Sequence, residues 1–259
     1  MNAVKKCLRE GRPAVGHWVS LACPAVTEIL SGSGMDWLVF DTEHGSLGDE
    51  TLEDLMRAMT GSGVTPLARV AGNDPVLIKK VLDRGAQGVV VPLVNSPEEA
   101  LATVAASRYP PEGIRGVAGT RANRYGAHLP QYFAEWNEDV LVACQVETTA
   151  ALSQVEAIAA VPGVDILFLG PYDLSANLGI LGQFQHPEFQ RAKDRVLKAA
   201  LDAGICAGYF ASSAQEAIAR IEEGFRFVAM GTDARLLARA AEDLYRGVRA
   251  FLDGWGNRP

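Results

Sequence analysis

Two carboxylates in this chain each follow directly on an apolar run, Glu147 after LVACQV and Asp173 after DILFLGPY. Brought together in a dry setting, two such groups repel unless a positive charge sits between them. A hard divalent ion, with water and a substrate oxygen completing its octahedron, resolves that repulsion. Taken singly, each carboxylate reads equally as a helix N-cap or a surface charge. Gln145 lies two residues before Glu147, so on an extended strand it shares the same side-chain direction. It is either a direct ligand of whatever is bound there or a buried amide satisfied by the protein.

His44 stands in the acidic run Asp41-Thr42-Glu43-His44-Gly45. A carboxylate accepting from one imidazole nitrogen fixes the tautomer and raises the basicity of the ring, which suits proton transfer near neutral pH. The plainer reading is a strand-end histidine hydrogen-bonded for structure. Arg69 falls in PLARV, a run otherwise apolar. A guanidinium there needs an anion, either an oxyanion or carboxylate of the substrate or an internal salt bridge with Asp41 or Glu43. Of the other histidines, His17 reads as strand-interior, His128 as a loop residue and His186 as a helix start. Arg115, Arg121 and Arg124 in RGVAGTRANRYG could reach a substrate tail, although solvated loop arginines are the commoner outcome.

These residues need elements to position them. Eight apolar runs recur along the chain: Ala14–Leu21, Trp37–Asp41, Pro66–Val70, Gly88–Val94, Val140–Val146, Asp165–Gly170, Ile205–Phe210 and Phe227–Met230. They are rich in Val, Ile, Leu and Phe and too short for helices, which marks strands buried on both faces. Helix signals lie between them. Asp74-Pro75 and Ser96-Pro97 each pair an N-cap with proline at the first helical position, and Gly85 ends the first of these helices. Ser212 or Ser213 opens AQEAIARIEE and Gly224 closes it, while His186-Pro187 begins a long helix ending near Gly204. Buried strands alternating with helices require parallel pairing and right-handed crossovers. Eight such units in 259 residues favour an α/β fold, a (β/α)₈ TIM barrel forming one domain over residues 1–259, above an open doubly wound sheet. No Gly-x-Gly-x-x-Gly follows the first strand, which weakens the dinucleotide-binding alternative. The segment Arg108–Asn137 reads as one long irregular loop.

In such a barrel, chemistry sits where strands end and loops begin. Asp41, Glu43 and His44, Arg69, Gln145 and Glu147, and Asp173 all fall at those ends. Every lysine near the candidate elements falls in a helix pattern or before the first strand, so a Schiff-base nucleophile is missing from the strand ends.

Composition is that of a globular protein, 48% hydrophobic and 21% charged. The net charge of −7 argues against nucleic acid or an anionic membrane as the main partner. The cysteines Cys7, Cys23, Cys144 and Cys206 form no Cys-x-x-Cys pair and read as reduced and buried, as in a cytosol. The basic start lacks an apolar stretch of the secretory kind and no run approaches a membrane span, so a soluble cytoplasmic protein is expected.

The strand-end residues, in order, resemble the HpcH/HpaI family of metal-dependent pyruvate aldolases. The resemblance rests on DWLVFDTEHG, PLARVAGNDPVLIKKVLDRGAQGVVVPLVNSPEEA, RYPPEGIRG, CQVET and GPYDLSANLG followed by His-Pro-Glu, and it spans nearly the whole chain. It implies reversible cleavage of a 4-hydroxy-2-keto acid to pyruvate and an aldehyde. It also implies metal ligands Glu147 and Asp173, with Gln145 beside the keto acid. The catalytic histidine would be His44, next to Asp41 and Glu43, and the enolate-stabilising arginine Arg69. Asp83 would reach a neighbouring subunit's site to support that histidine. The keto acid's carboxylate would rest on backbone amides around Gly170 and Tyr172. Members are usually hexamers built from dimers that exchange the last helix, here about Asp233–Leu252.

Two positions depart from the family pattern. Tyr172 stands where several aldolases carry Ala or Asn, and the first strand reads GHWVSLACP instead of opening Gly-Leu-Trp. Both concern the substrate side, near Trp18 and Ser20, more than the reaction type. Phe210, ending the seventh strand, is the candidate for shaping the aldehyde pocket, with a core role as the alternative. The rival functions are an acyl-CoA lyase of the citryl- or malyl-CoA type, its CoA phosphates bound by Arg115, Arg121 and Arg124, and a non-catalytic keto-acid sensor.

Overall fold

The computed structural model describes residues 2–255. Eight parallel strands close into a barrel in sequence order: β1 (Ala14–Val19), β2 (Trp37–Asp41), β3 (Thr65–Arg69), β4 (Gly88–Val91), β5 (Leu141–Val146), β6 (Ile166–Leu169), β7 (Cys206–Ala211) and β8 (Phe227–Thr232). Every expected apolar run forms a strand. The ends differ by a few residues: β1 stops at Val19, β4 stops at Val91, and β8 runs on to Thr232.

Alternation along the strands sorts the side chains into two cores. Trp18, Trp37, Val39, Leu67, Val90, Leu141, Ala143, Ile166, Phe168, Phe227 and Ala229 fill the barrel interior. The intervening residues, such as Leu38, Phe40, Val89, Val142 and Leu167, pack outward with the helices. Trp37 stacks on Phe227 with ring centroids 4.1 Å apart. It has room because Gly16 lies beside it; a Cβ there would fall 2.1 Å from the Trp37 ring. Burying each large apolar side chain contributes about 1.5–3 kcal/mol.

The interior is sealed at the base by the helix Ala3–Arg9, whose Val4 and Leu8 join the barrel core. Lys5 is buried there and tied to the Val140 carbonyl at 2.7 Å and to Asp165 at 3.0 Å. The helix starts follow the sequence signals. Asp74 caps Pro75–Asp83, Ser96 caps Pro97–Ser107, His186 caps Pro187–Asp202 and Ser213 caps Ala214–Glu223.

Closure brings an irregularity. Gly16 pairs with Ala229 but Trp18 pairs with Thr232, so β8 carries one residue more than β1 over that step. Gly231 absorbs it at φ 90°, a left-handed conformation that glycine adopts without a Cβ penalty.

Three expectations need correction. The segment Arg108–Asn137 is not one irregular loop: it contains a 3₁₀ turn at Arg121–Asn123 and the start of a helix, Leu129–Asp139. Leu129, Tyr132, Phe133 and Trp136 stand at i, i+3, i+4 and i+7 along it, a helical period that directly follows a Gly- and Arg-rich stretch reading as loop; Trp136 is its buried member. Arg115 is not a solvated loop arginine. It is buried, 2.7 Å from Asp83, with its guanidinium 4.5 Å from the Trp136 ring centroid and 4.6 Å from that of Tyr109. The cysteines are free, as expected, but only Cys144 is buried; Cys7 and Cys206 are half-buried and Cys23 is exposed.

The last helix, Asp233–Trp255, leaves Leu236, Leu237, Leu244, Tyr245, Val248, Phe251, Leu252 and Trp255 exposed. Among the described residues no helix is long and apolar enough to cross a membrane.

Candidate active site

The polar residues at the strand ends continue the inward-facing rows of the barrel core. Asp41 follows Trp37 and Val39 by steps of two, Arg69 follows Leu67, and Gln145 and Glu147 follow Leu141 and Ala143. The same alternation that fills the interior with apolar groups therefore aims these side chains into the mouth. A cleft of about 350 Å³ opens there, lined in part by Asp41, His44, Arg69, Gln145, Tyr172 and Asp173.

Arg69 is buried and held on two sides. Nε and Nη2 donate to the two oxygens of Asp41 at 3.0 and 2.6 Å. Nη1 lies 3.0 Å from Glu43 Oε2, a charge contact without hydrogen-bond alignment. The internal ion pair anticipated as an alternative for Arg69 thus forms with both acids. Three of its five N–H groups make no hydrogen bond to a described residue, those on Nη1 facing Glu43 by charge alone. Burial pushes the Glu43 carboxyl up from its ordinary value; Arg69 and His44 oppose this, while Asp41 and Asp173 reinforce it.

His44 is brought to the mouth by its backbone, whose N–H donates to Asp41 Oδ1 at 3.2 Å. Its imidazole is 69% exposed, and Nε2 stands 3.9 Å from Glu43 Oε2. The expected carboxylate–imidazole hydrogen bond is not formed within the chain, because Glu43 is drawn to Arg69 instead.

Glu147 is buried beside the cleft. Its Oε1 accepts the Leu93 N–H at 2.7 Å, and its Oε2 accepts from Gln145 Nε2. Burial raises its pKa; the bonds from Leu93 and Gln145 lower it, and the charges of Asp173 and Glu43 raise it further. Gln145 Oε1 is buried without a hydrogen-bond partner. A Cβ at Gly170 would come within 3.2 Å of Glu147 Oε2 and Gln145 Nε2. Crowded carboxylates, an orphaned amide oxygen and space kept by a glycine together suit a divalent cation. Among the described residues no three His, Cys, Asp or Glu side chains form a complete ligand set, so Glu147 and Asp173 would leave positions to water and substrate.

Asp173 lies in the first turn of the short helix Pro171–Asn177. The Gly170 N–H donates to Val146 O at 3.2 Å. The first-turn amides of Tyr172 and Asp173 have no intrahelical acceptor. Tyr172 is half exposed and meets Phe184 edge to face. Phe210 lines the cleft and packs edge-on against Trp18.

Asp83 does not join this cleft. It ends the helix Pro75–Asp83 and is gripped by Arg115. Thr232 at the end of β8 also lines the cleft, as does Phe168, which was not singled out from the sequence. Nor was the Leu93 amide, which a φ of 54° turns toward Glu147. No local residue pattern marks a non-glycine position for that conformation. Asp233, directly after β8, holds the start of the last helix to the end of β1: it accepts from Ser20 N, Ser20 Oγ, Leu21 N and Ala234 N.

A profile of the HpcH/HpaI aldolase/citrate lyase family matches residues 14–240. The chain belongs to this family. A 4-hydroxy-2-oxo-heptane-1,7-dioate aldolase from Salmonella dublin is 42% identical over 94% of this chain and 93% of its own. A 4-hydroxy-2-oxovalerate aldolase from Novosphingobium aromaticivorans is 41% identical over 99% of this chain and 98% of its own. A solved HpcH/HpaI family structure from Burkholderia cenocepacia J2315 superposes with a TM-score of 0.92 at 37% identity, covering 96% of this chain and all of that one.

In this HpcH/HpaI barrel none of Arg115, Arg121 and Arg124 lines the cleft at the mouth among the described residues. Arg115 is enclosed by aromatic rings, and Arg121 is spent on the carbonyls of Arg84 and Met56 at 2.8 and 3.0 Å.

Proposed function

We propose that the protein catalyses reversible aldol cleavage of a 4-hydroxy-2-keto acid into pyruvate and an aldehyde. The observation that carries this is Arg69, locked by Asp41 at the mouth of a cleft that also holds His44, Gln145 and Asp173. No lysine lines that cleft among the described residues, which disfavours a Schiff-base route. The relatives' names supply the substrate class.

Glu147 and Asp173 are the residues that would hold a divalent ion, Mg²⁺, Mn²⁺ or Co²⁺. Such an ion would polarise the 2-keto oxygen and stabilise negative charge on it. Tyr172 and Asp173 offer backbone N–H groups to the substrate carboxylate. His44, or a water it orients, takes the proton from the 4-hydroxyl. The C3–C4 bond then breaks, C4 becomes the aldehyde carbonyl, and the electron pair passes into the enolate of pyruvate. Arg69 donates to the enolate oxygen, a contribution of about 3–4 kcal/mol for one well-placed donor. The proton returns to C3 and pyruvate leaves.

The same reading extends to assembly and location. Asp83 supports the histidine of a neighbouring subunit, dimers exchange the helix Asp233–Trp255, and dimers build a cytoplasmic hexamer. The exposed apolar residues of that helix support this arrangement, since large exposed apolar patches mark association surfaces.

The experiment is pyruvate release from a panel of 4-hydroxy-2-keto acids with each metal in turn. Release that depends on added metal is expected. Undiminished cleavage by chelator-treated protein would overturn the metal assignment, and binding of the keto acids without cleavage would favour a sensor.

A further inference from the structure

Among the described residues, the charged side chains that line the mouth lie on one arc of the barrel. The strand ends from β2 to β6 carry Asp41, Glu43, Arg69, Glu147 and, just beyond β6, Asp173. The remaining arc, β7–β8–β1, presents Phe210, Thr232, Trp18 and Ser20 to the cleft. Its polar groups are two hydroxyls. Ser20 Oγ donates to Asp233 at 2.8 Å and keeps its lone pairs for a ligand. Thr232 Oγ1 accepts from Arg235 N at 3.2 Å and keeps its proton to donate.

Directly behind this arc sits the buried carboxylate of Asp233. Its four hydrogen bonds come from backbone N–H groups and the Ser20 hydroxyl, none from a cation. Arg235 and Arg239 begin the exposed part of the last helix, but neither lines the cleft, and Arg239 donates to the Ser212 carbonyl at 3.2 Å. A carboxylate entering this arc would lose water against Trp18 and Phe210 with no cationic partner among the described residues of its own chain and with Asp233 behind Ser20. An uncharged chain there gains apolar burial instead.

The geometry points to an uncharged aldehyde as the second substrate, its tail lying along the β7–β8–β1 arc. This rests on the aldolase reading above and separates two activities that sequence similarity leaves level. Cleavage of a 4-hydroxy-2-oxoheptane-1,7-dioate yields an aldehyde bearing a carboxylate, whereas cleavage of a 4-hydroxy-2-oxovalerate yields one ending in a methyl group.

A matched pair tests it: butanal and 4-oxobutanoate have four carbons each and differ in a terminal methyl against a terminal carboxylate. In the direction of addition to pyruvate, kcat/KM for butanal should exceed that for 4-oxobutanoate by at least about tenfold. Thr232→Lys should narrow or reverse that ratio. Raising ionic strength in the wild type should improve 4-oxobutanoate while leaving butanal unchanged, a measurement that needs no variant to fold. Equal or better use of 4-oxobutanoate overturns the inference, as does a ratio that ignores both salt and Thr232→Lys. Exchange of the pyruvate C3 protons with solvent deuterium, followed in the same preparation, separates the two failures. Exchange with the opposite preference overturns the aldehyde assignment alone; no exchange overturns the aldolase reading and this inference with it.

Discussion

Asp41 grips Arg69 through both carboxylate oxygens, and its Oδ1 also accepts the backbone N–H groups of Glu43 and His44 at 3.1 and 3.2 Å. One aspartate thus sets the direction of the guanidinium and the path of the segment bearing the histidine. Asp41→Asn keeps the size but removes the charge. Its pyruvate C3 exchange should fall about 10²–10³-fold, the range seen when a preorganised oxyanion donor is lost. Arg69→Lys should not rescue activity, because an ammonium cannot make the forked contact. Near-wild-type exchange in either variant would refute the arrangement.

Glu147 gives a prediction for metal and pH together. Added Mg²⁺ or Mn²⁺ should raise the melting temperature at neutral pH, by up to about 2.7 kcal/mol of stabilisation at a hundredfold excess over Kd. Glu147→Gln should abolish the shift. Burial raises the Glu147 carboxyl above its ordinary 4.5, so the folded protein holds that proton more tightly than the unfolded chain. In metal-free protein the group therefore subtracts stability as pH rises from 4.5 through its folded value. Protonation competes with metal, so the metal-induced shift should begin to shrink on acidification before pH 4.5 is reached. Thermal scans with and without metal from pH 4 to 8 check both signs.

His17 is buried, and neither ring nitrogen makes a well-aligned hydrogen bond among the described residues, although the Thr232 backbone stands close by. Burial lowers its pKa from 6.5, only partly opposed by the Thr232 backbone and Asp233. The unfolded chain then takes up a proton near pH 6.5 while the folded one does not. The resulting stability is present above 6.5 and is lost as pH falls from there through the folded value. His17→Leu should remove that component of acid destabilisation and raise stability at pH 5.5, where the buried unsatisfied group costs about 1–3 kcal/mol. Urea titrations at pH 5.5 and 8 measure it; an unchanged pH slope would contradict the assignment.

Arg115 should matter for stability. Arg115→Ala strips Asp83 of its partner and removes the cation packed against Tyr109 and Trp136. Removing one member of such a buried pair costs about 3–5 kcal/mol, and urea unfolding should show a loss of that size. A change under 1 kcal/mol would mean the segment after Arg108 is held by other contacts.

Much of the site was legible because it obeys a local rule. The period-two alternation that sends Val39 inward also sends Asp41 inward, and Leu141 leads by the same steps to Gln145 and Glu147. Arg115 was not legible, because a loop arginine looks alike in sequence whether it is solvated or enclosed by Tyr109 and Trp136. The helix Leu129–Asp139 has its period in Leu129, Tyr132, Phe133 and Trp136, but it follows a Gly- and Arg-rich stretch so closely that the whole segment reads as loop.

By itself the sequence determined the eight strands, their parallel order and the identity of the acids, the arginine and the histidine at the mouth. Strand period and strand-end position are properties of neighbouring residues, so a linear reading reaches them. Only the tertiary structure decided that Arg69 takes both Asp41 and Glu43, leaving His44 without a carboxylate within hydrogen-bond reach. It also decided that the extra residue at Gly231 turns Thr232 into the cleft and sets Asp233 behind Ser20, 213 positions away in the chain. Those relationships arise from closing β8 onto β1, and no local pattern encodes which side chains that closure brings together.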